Sequence, residues 1–195
     1  PLKADVELNT ICGCRGEGKV VVPTAVAKWG FRQGSTNWHE VVQRPDIDIV
    51  DIVAPNHVHA QIAIAAAQAG KNVVCEKPLA LTSQQCVTML AAVKKAGIVH
   101  MVMQNYRRIP AVAMAKRLIE EGALGTLYHY RARYAQDWIT DPEFPLVWRL
   151  RKEVSGSGAH GDINAHIIDL GRYLMGEFSE VCGMMHTFIK KRPLL

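Results

Sequence analysis

Two groupings in this sequence carry side chains that can move protons. In "GDINAHIIDLGRYLMG" (161–176), Asp162 and His166 stand four residues apart, so on a helix they share one face and can point into one cleft. Imidazole titrates near neutrality and is the usual general acid or base, and a nearby carboxylate would fix its orientation and support its charged form. In "VVCEKPLALT" (73–82), an apolar run ends in Glu76 and Lys77 and is then stiffened by Pro78. A lysine at a strand end can be partly desolvated, which lowers its pKa and suits it to proton transfer; Glu76 would orient it or touch a ligand. Plainer readings stand beside these. Asp162 could be a helix cap, with His166 a core histidine among Ile163, Ile167, Leu170 and Leu174, and the Glu-Lys pair could be a surface turn.

Other chemistries have less support. His160, Asp162 and His166 are close in sequence, yet no spacing matches an H-E-x-x-H pair or a cysteine-rich zinc site, so no metal is expected. There is no G-x-S-x-G elbow, and Cys75 closes a strand that reads as buried.

The elements that must position these residues change character halfway. "VELNTIC" (6–12), "DIDIVDIVAP" (46–55), "NVVC" (72–75) and "IVHMVMQ" (98–104) read as strands. Helical stretches lie between them, "HVHAQIAIAAAQAG" closing on Gly70 and "LTSQQCVTMLAAVKKAG" running from a Thr82/Ser83 cap to Gly97. This alternation predicts an α/β fold with a parallel sheet covered on both faces, with ligands beyond the strands' carboxyl ends, where Glu76, Lys77 and "APNHVH" (54–59) fall. Residues 111–125 then read as a helix and 126–138 as a long antiparallel strand. An irregular stretch, 139–161, is long enough to be functional, and a helix at 162–176 and a strand at 180–190 follow. The expected division is 1–104, a partial parallel α/β domain, and 105–195, a partial α+β domain.

Composition narrows the class. The chain has 195 residues, 49% of them hydrophobic, and no apolar run of the roughly 20 residues that span a bilayer. Its N-terminus lacks the pattern of a signal peptide, and its five cysteines are odd in number with no C-x-x-C pair, so reduced thiols and a cytoplasmic location are the default expectation. The net charge is +5, with basic residues clustered at 106–108, 149–152 and 190–193. Because these clusters are short and adjoin unlike elements, a small anionic ligand fits them better than nucleic acid.

With "CEKP" and "GDINAHIIDLGRYLMG" in this order, joined by "PDIDIVDIVAPNHVHAQIAIAAAQAGKNVVCEKPLA", "NYRRIPAVAMAKRLIEEGALG" and "DPEFPLVWR", the sequence resembles the glucose-fructose oxidoreductase, inositol dehydrogenase and rhizopine catabolism (Gfo/Idh/MocA) family. The resemblance implies a Rossmann domain followed by an open-sheet α+β domain, and an NAD(P)-dependent sugar or polyol dehydrogenase, with a non-catalytic sugar or nucleotide sensor as the alternative. It implies Lys77, Asp162 and His166 as the catalytic group. Pro55, Asn56, His59, Glu76, Lys77 and Asn105 match positions lining the nicotinamide and its ribose, Trp148 and Arg149 look like further contacts, and Tyr106, Arg107, Gln136 and Asp137 fall toward the substrate. Levoglucosan-like anhydrosugars, inositols and hexoses all fit as substrates, and a homodimer or homotetramer is implied.

The sequence departs from the family pattern at its start. The G-x-G-x-x-G turn that takes the pyrophosphate is absent, and "GCRGEG" (13–18) has the wrong order. It follows what corresponds to the family's second strand. There Gly13 replaces the acid that holds the adenosine ribose, and Arg15 stands nearby, which favours NADP over NAD. Without the first strand, a doubly wound sheet loses a central member, so the chain reads as an internal portion of a protein of the usual family size.

Overall fold

The computed structural model describes residues 6–13 and 18–194, with only the backbone described for 18–21. The chain forms two compact units. One takes in Pro1–Val53, Val58–Cys75 and Gln84–Met101, the other Ala54–His57, Glu76–Ser83 and Val102–Leu195. The segments Ala54–His57 and Glu76–Ser83, which carry Asn56, Glu76 and Lys77, are thus counted with the C-terminal unit.

In the first unit, β1 (Thr10–Cys12), α1 (Gly18–Trp29), β2 (Gln33–Ser35), α2 (Trp38–Gln43), β3 (Ile49–Ile52), α3 (His59–Gln68), β4 (Asn72–Glu76), α4 (Ser83–Ala96) and β5 (His100–Met103) follow one another. β1 pairs with β2 in parallel, Ile11 opposite Gly34, while β3, β4 and β5 form a separate sheet in that order, with Ile49–Ile52 in parallel register on Asn72–Cys75. This is the Rossmann-type arrangement the strand and helix alternation predicts. The two sheets form the two flanks of this unit's strand arrangement. A polar link joins the flanks: Asn9 Nδ2 donates to Asp46 O and Oδ2, both at 3.1 Å, and Arg44 Nη2 donates to Asn9 Oδ1 at 3.3 Å. Arg44 and Asn9 together hold the Asp46 carboxyl well below the usual range.

Burial follows the sequence pattern. β4 alternates, burying Val73 and Cys75, and α3 buries Ile62 and the alanines Ala60, Ala63, Ala66 and Ala67, whose small side chains let it approach β3 and α2 closely. Gly70 stops α3 in a left-handed conformation (φ 73°), and its N–H bonds to Ala67 O at 2.9 Å. Gly13 has a packing reason of its own: a β-carbon there would stand 2.7 Å from Val22 Cγ2 of α1.

The second unit holds α5 (Pro110–Glu120), the short α6 (Lys152–Ser155), α7 (Ala165–Met175) and 3-10 turns at Asn56–Val58 (whose last residue belongs to the first unit), Asn105–Arg108 and Trp148–Leu150. Two expectations are corrected here. Residues 126–138 and 180–190 form no strand among the described residues, because neither has a ladder partner, and Tyr128 and Met184 stay about nine-tenths exposed. The helix expected from 162 begins instead as a π-turn, His160–Asn164, and becomes regular at Ala165. Among the described residues no helix is long and apolar enough to cross a membrane.

Candidate active site

The second unit contains a cleft of about 400 Å³ lined by Lys77, Tyr134, Gln136, Trp138, Arg149, Asp162, Ile163 and His166. Three sequence features converge there. The turn after β4 delivers Lys77, which precedes Pro78 through a cis peptide bond. The π-turn delivers Asp162; such turns widen a helix by one residue per turn and recur at functional sites. The first turn of α7 delivers His166.

Lys77 is held firmly. Its Nζ donates to the backbone carbonyl of Asp162 at 2.5 Å and to Oδ1 of the same residue at 3.2 Å, and its side chain is only 14% exposed. An ammonium has three protons, so these contacts leave one for a ligand. The main-chain N–H of Lys77 donates to Glu76 Oε2 at 3.0 Å, which turns that carboxylate back on the strand end.

His166 is buried, and its titration is pushed below the ordinary histidine value, chiefly by burial and then by the Lys77 cation; Asp162, Glu76 and Asp169 pull the other way. The imidazole is therefore neutral at pH 7 and able to accept a proton. The expectation that a carboxylate orients it is not met, since Asp162 turns to Lys77 and Nδ1 of His166 has no hydrogen-bond partner among the described residues. With Nδ1 buried, Nε2 is the nitrogen a ligand can reach.

The other residues singled out from sequence divide. Gln136 and Arg149 line the cleft, and the Arg149 guanidinium lies 4.3 Å from the ring centroid of Trp148. Asn56 donates through Nδ2 to Ser155 O at 2.9 Å, and Pro55 beside it is half-buried. Asn105 opens its 3-10 turn, exposed. Tyr106 stacks on His166 rather than lining the cleft, Arg107 is paired with Asp169, and the exposed Asp137 gives its carbonyl to Thr140. His59 is wholly buried in the first unit, apart from the cleft residues. Gly13 lies in the first unit, and Arg15 lies outside the described residues.

Tyr134, Trp138 and Ile163 were missed. The signal for two of them was present, because an extended chain puts residues i, i+2 and i+4 on one face, so choosing Gln136 brings Tyr134 and Trp138 with it and excludes Asp137. They form a chain, Trp138 Nε1 donating to Gln136 Oε1 at 3.2 Å and Gln136 Nε2 to the Tyr134 hydroxyl at 3.3 Å. Aromatic faces with amide, ammonium and guanidinium donors suit a polyhydroxyl ligand. The neutral buried imidazole with one reachable nitrogen, beside a cation with a spare proton, fits the neighbourhood of a nicotinamide cofactor. Asn56, Glu76, Asn105, Trp148 and Arg149 are the residues of this unit that could hold one.

Two family models match the chain. That of the oxidoreductase family with an NAD-binding Rossmann fold, GFO/IDH/MocA, covers residues 15–104, and a GFO/IDH/MocA C-terminal domain covers 112–194. Levoglucosan dehydrogenase of Pseudarthrobacter phenanthrenivorans is 54% identical over 87% of this chain and 44% of its own length. The 1,5-anhydro-D-fructose reductase of Ensifer adhaerens is 32% identical over 76% of this chain and 44% of its own. A solved levoglucosan dehydrogenase in complex with NADH and levoglucosan superposes with a TM-score of 0.92 at 49% identity, over 96% of this chain and 50% of that one. The chain thus spans about half the length of the relatives it matches.

Proposed function

The chain belongs to the Gfo/Idh/MocA oxidoreductase family, and on that premise we propose that it serves an NAD(P)-dependent sugar or polyol dehydrogenase activity directed at an anhydrosugar. One observation carries the reading: Lys77 and His166, 89 residues apart in the sequence (166 − 77), meet at one cleft with Asp162 holding the lysine. The names of similar proteins, levoglucosan dehydrogenase and 1,5-anhydro-D-fructose reductase, support the substrate class.

In the oxidative direction, neutral His166 accepts the hydroxyl proton at Nε2. Lys77 donates its remaining proton to the same oxygen and stabilises the negative charge that develops there. Asp162 fixes the ammonium in place. Trp138 and Tyr134 give the sugar ring an apolar wall, and Gln136 and Arg149 can bind its other hydroxyls. A nicotinamide, when bound, supplies or takes up the hydride at that carbon.

Residues 1–104 are read as the cofactor half and 105–195 as the substrate half, with the full-length protein a cytoplasmic homodimer or homotetramer. Gly13 and Arg15 support a 2'-phosphate and hence NADP, whereas the solved relative carries NADH. The test follows nicotinamide absorbance at about 340 nm with the full-length protein across anhydrosugars, inositols and hexoses. Turnover of an anhydrosugar in preference to the others is expected. Cofactor binding with no turnover of any substrate would instead mark a sensor.

A further inference from the structure

His166 has a buried Nδ1 with no hydrogen-bond partner among the described residues, yet a general base needs a fixed ring plane. Another ring supplies it. Tyr106 lies parallel to the imidazole, with centroids 3.9 Å apart and planes 11° apart, and its hydroxyl is 2.8 Å from that of Tyr134. Tyr106 sits on the Asn105–Arg108 turn, which contacts α7. The next residue, Arg107, donates from Nε to Asp169 Oδ2 at 2.7 Å and from Nη2 to Oδ1 at 2.5 Å. Asp169 is on α7, three residues beyond His166, and is 7% exposed. Arg107 also lies 5.0 Å from the ring centroid of Tyr173, one turn further on. A planar fork on a buried carboxylate fixes both distance and angle, which a single contact does not.

We propose that Arg107 is a positioning residue: its fork on Asp169 holds the 105–108 turn against α7, so that Tyr106 presses on His166 and sets the plane of the imidazole in the cleft. The catalytic consequence rests on the reading of His166 as the acid/base, but the clamp can be observed on the imidazole itself. There is an electrostatic consequence too. The groups facing His166 are the Lys77 cation, the Asp162, Glu76 and Asp169 carboxylates and the phenols of Tyr106 and Tyr134. Arg107 offsets Asp169. Removing it strengthens the anionic side, and His166 then titrates at higher pH.

The experiment uses full-length, cofactor-free protein with isotope-labelled histidine, the His166 ring signals being assigned by their loss in His166→Ala. In the wild type these signals carry the ring-current shift of Tyr106 and titrate below an ordinary histidine. Arg107→Gln is expected to abolish that shift, to raise the titration midpoint and to lower kcat on the order of 10²-fold, the scale for a misplaced catalytic group, with KM changed less than about threefold. Arg107→Lys, which keeps the charge, should return the midpoint toward wild type. Wild-type ring shifts and titration in Arg107→Gln overturn the clamp. Should that variant not fold, Tyr106→Leu keeps the fork and must itself lose the ring shift and the turnover; an unchanged His166 spectrum there overturns the clamp equally. Failure of the dehydrogenase reading looks different, since the wild type would then turn over no substrate while the spectra still decide the clamp.

Discussion

Replacing Lys77 by methionine separates the ammonium from everything else the residue does. Methionine keeps an unbranched stem in a site where the lysine side chain is 14% exposed, so packing survives. Asp162 loses its ion pair but is 38% exposed and can be solvated, so the cost to stability is held to about 1 kcal/mol. Two of the three ammonium protons serve Asp162, and the substrate oxygen loses one donor. Removing one such donor lowers turnover by roughly 10²–10³, or about 3–4 kcal/mol of transition-state stabilisation. A second effect comes from charge. Lys77 depresses the His166 pKa, and oxidation needs the neutral imidazole, so the oxidative rate falls as pH drops through that depressed value. Without the cation the His166 pKa rises, and the acid limb moves to higher pH. Steady-state kinetics between about pH 5 and 9, spanning the ordinary histidine range, with a urea melt as control, give all three quantities. Turnover within a few-fold of wild type, or an acid limb that stays in place, would refute the role assigned to Lys77.

Three further outcomes are expected. His166→Ala should lower kcat/KM by about 10² or more with little change in a thermal melt, as for a lost proton-transfer group, and near-normal turnover would remove it from the site. Arg15→Ala should weaken NADP while sparing NAD in calorimetric titrations; an unchanged preference would dismiss the 2'-phosphate argument. Arg192 donates to the carbonyls of Ile139, Asp141 and Phe144, and so ties down the loop that follows Trp138 in the cleft wall. Arg192→Ala should raise KM more than it lowers kcat, and a pure loss of kcat would show that the loop does more than bind.

What the sequence disclosed depended on how local the responsible physics is. Helix stops at Gly70 and Gly97 were readable because each requires a left-handed residue at one position. The parallel sheet was readable because buried strands are continuous apolar runs, although three of the four expected strands came out shorter than their runs: β1 has only three residues, as many as β2 offers it. Alternation at 126–138 told which side chains share a face but not whether a ladder exists, since that depends on a partner strand. Within the site, the spacing of Asp162 and His166 was visible, but the division of labour between them was not. A carboxylate four residues before a histidine on a regular helix is in position to orient it. The π-turn changes that register, and Asp162 takes Lys77 instead.

That exchange of partners bears on how the site can work in both directions. A carboxylate bonded to His166 would raise the imidazole pKa and favour the protonated form, which is the acid needed for reduction. With Asp162 committed to Lys77, the imidazole feels that carboxylate only at a distance, while the ammonium and burial depress its pKa. Under the proposed dehydrogenase reading, this favours the neutral imidazole, the base that oxidation of an alcohol would need. Asp162→Asn tests this from the opposite side to Lys77→Met: it removes a charge that raises the His166 pKa, so the acid limb should move to lower pH, while the weakened hold on Lys77 lowers turnover. Opposite displacements of the limb in the two variants would establish that the Lys77–Asp162 pair sets the proton affinity of His166. Displacement in the same direction would mean that both variants act by disturbing the cleft.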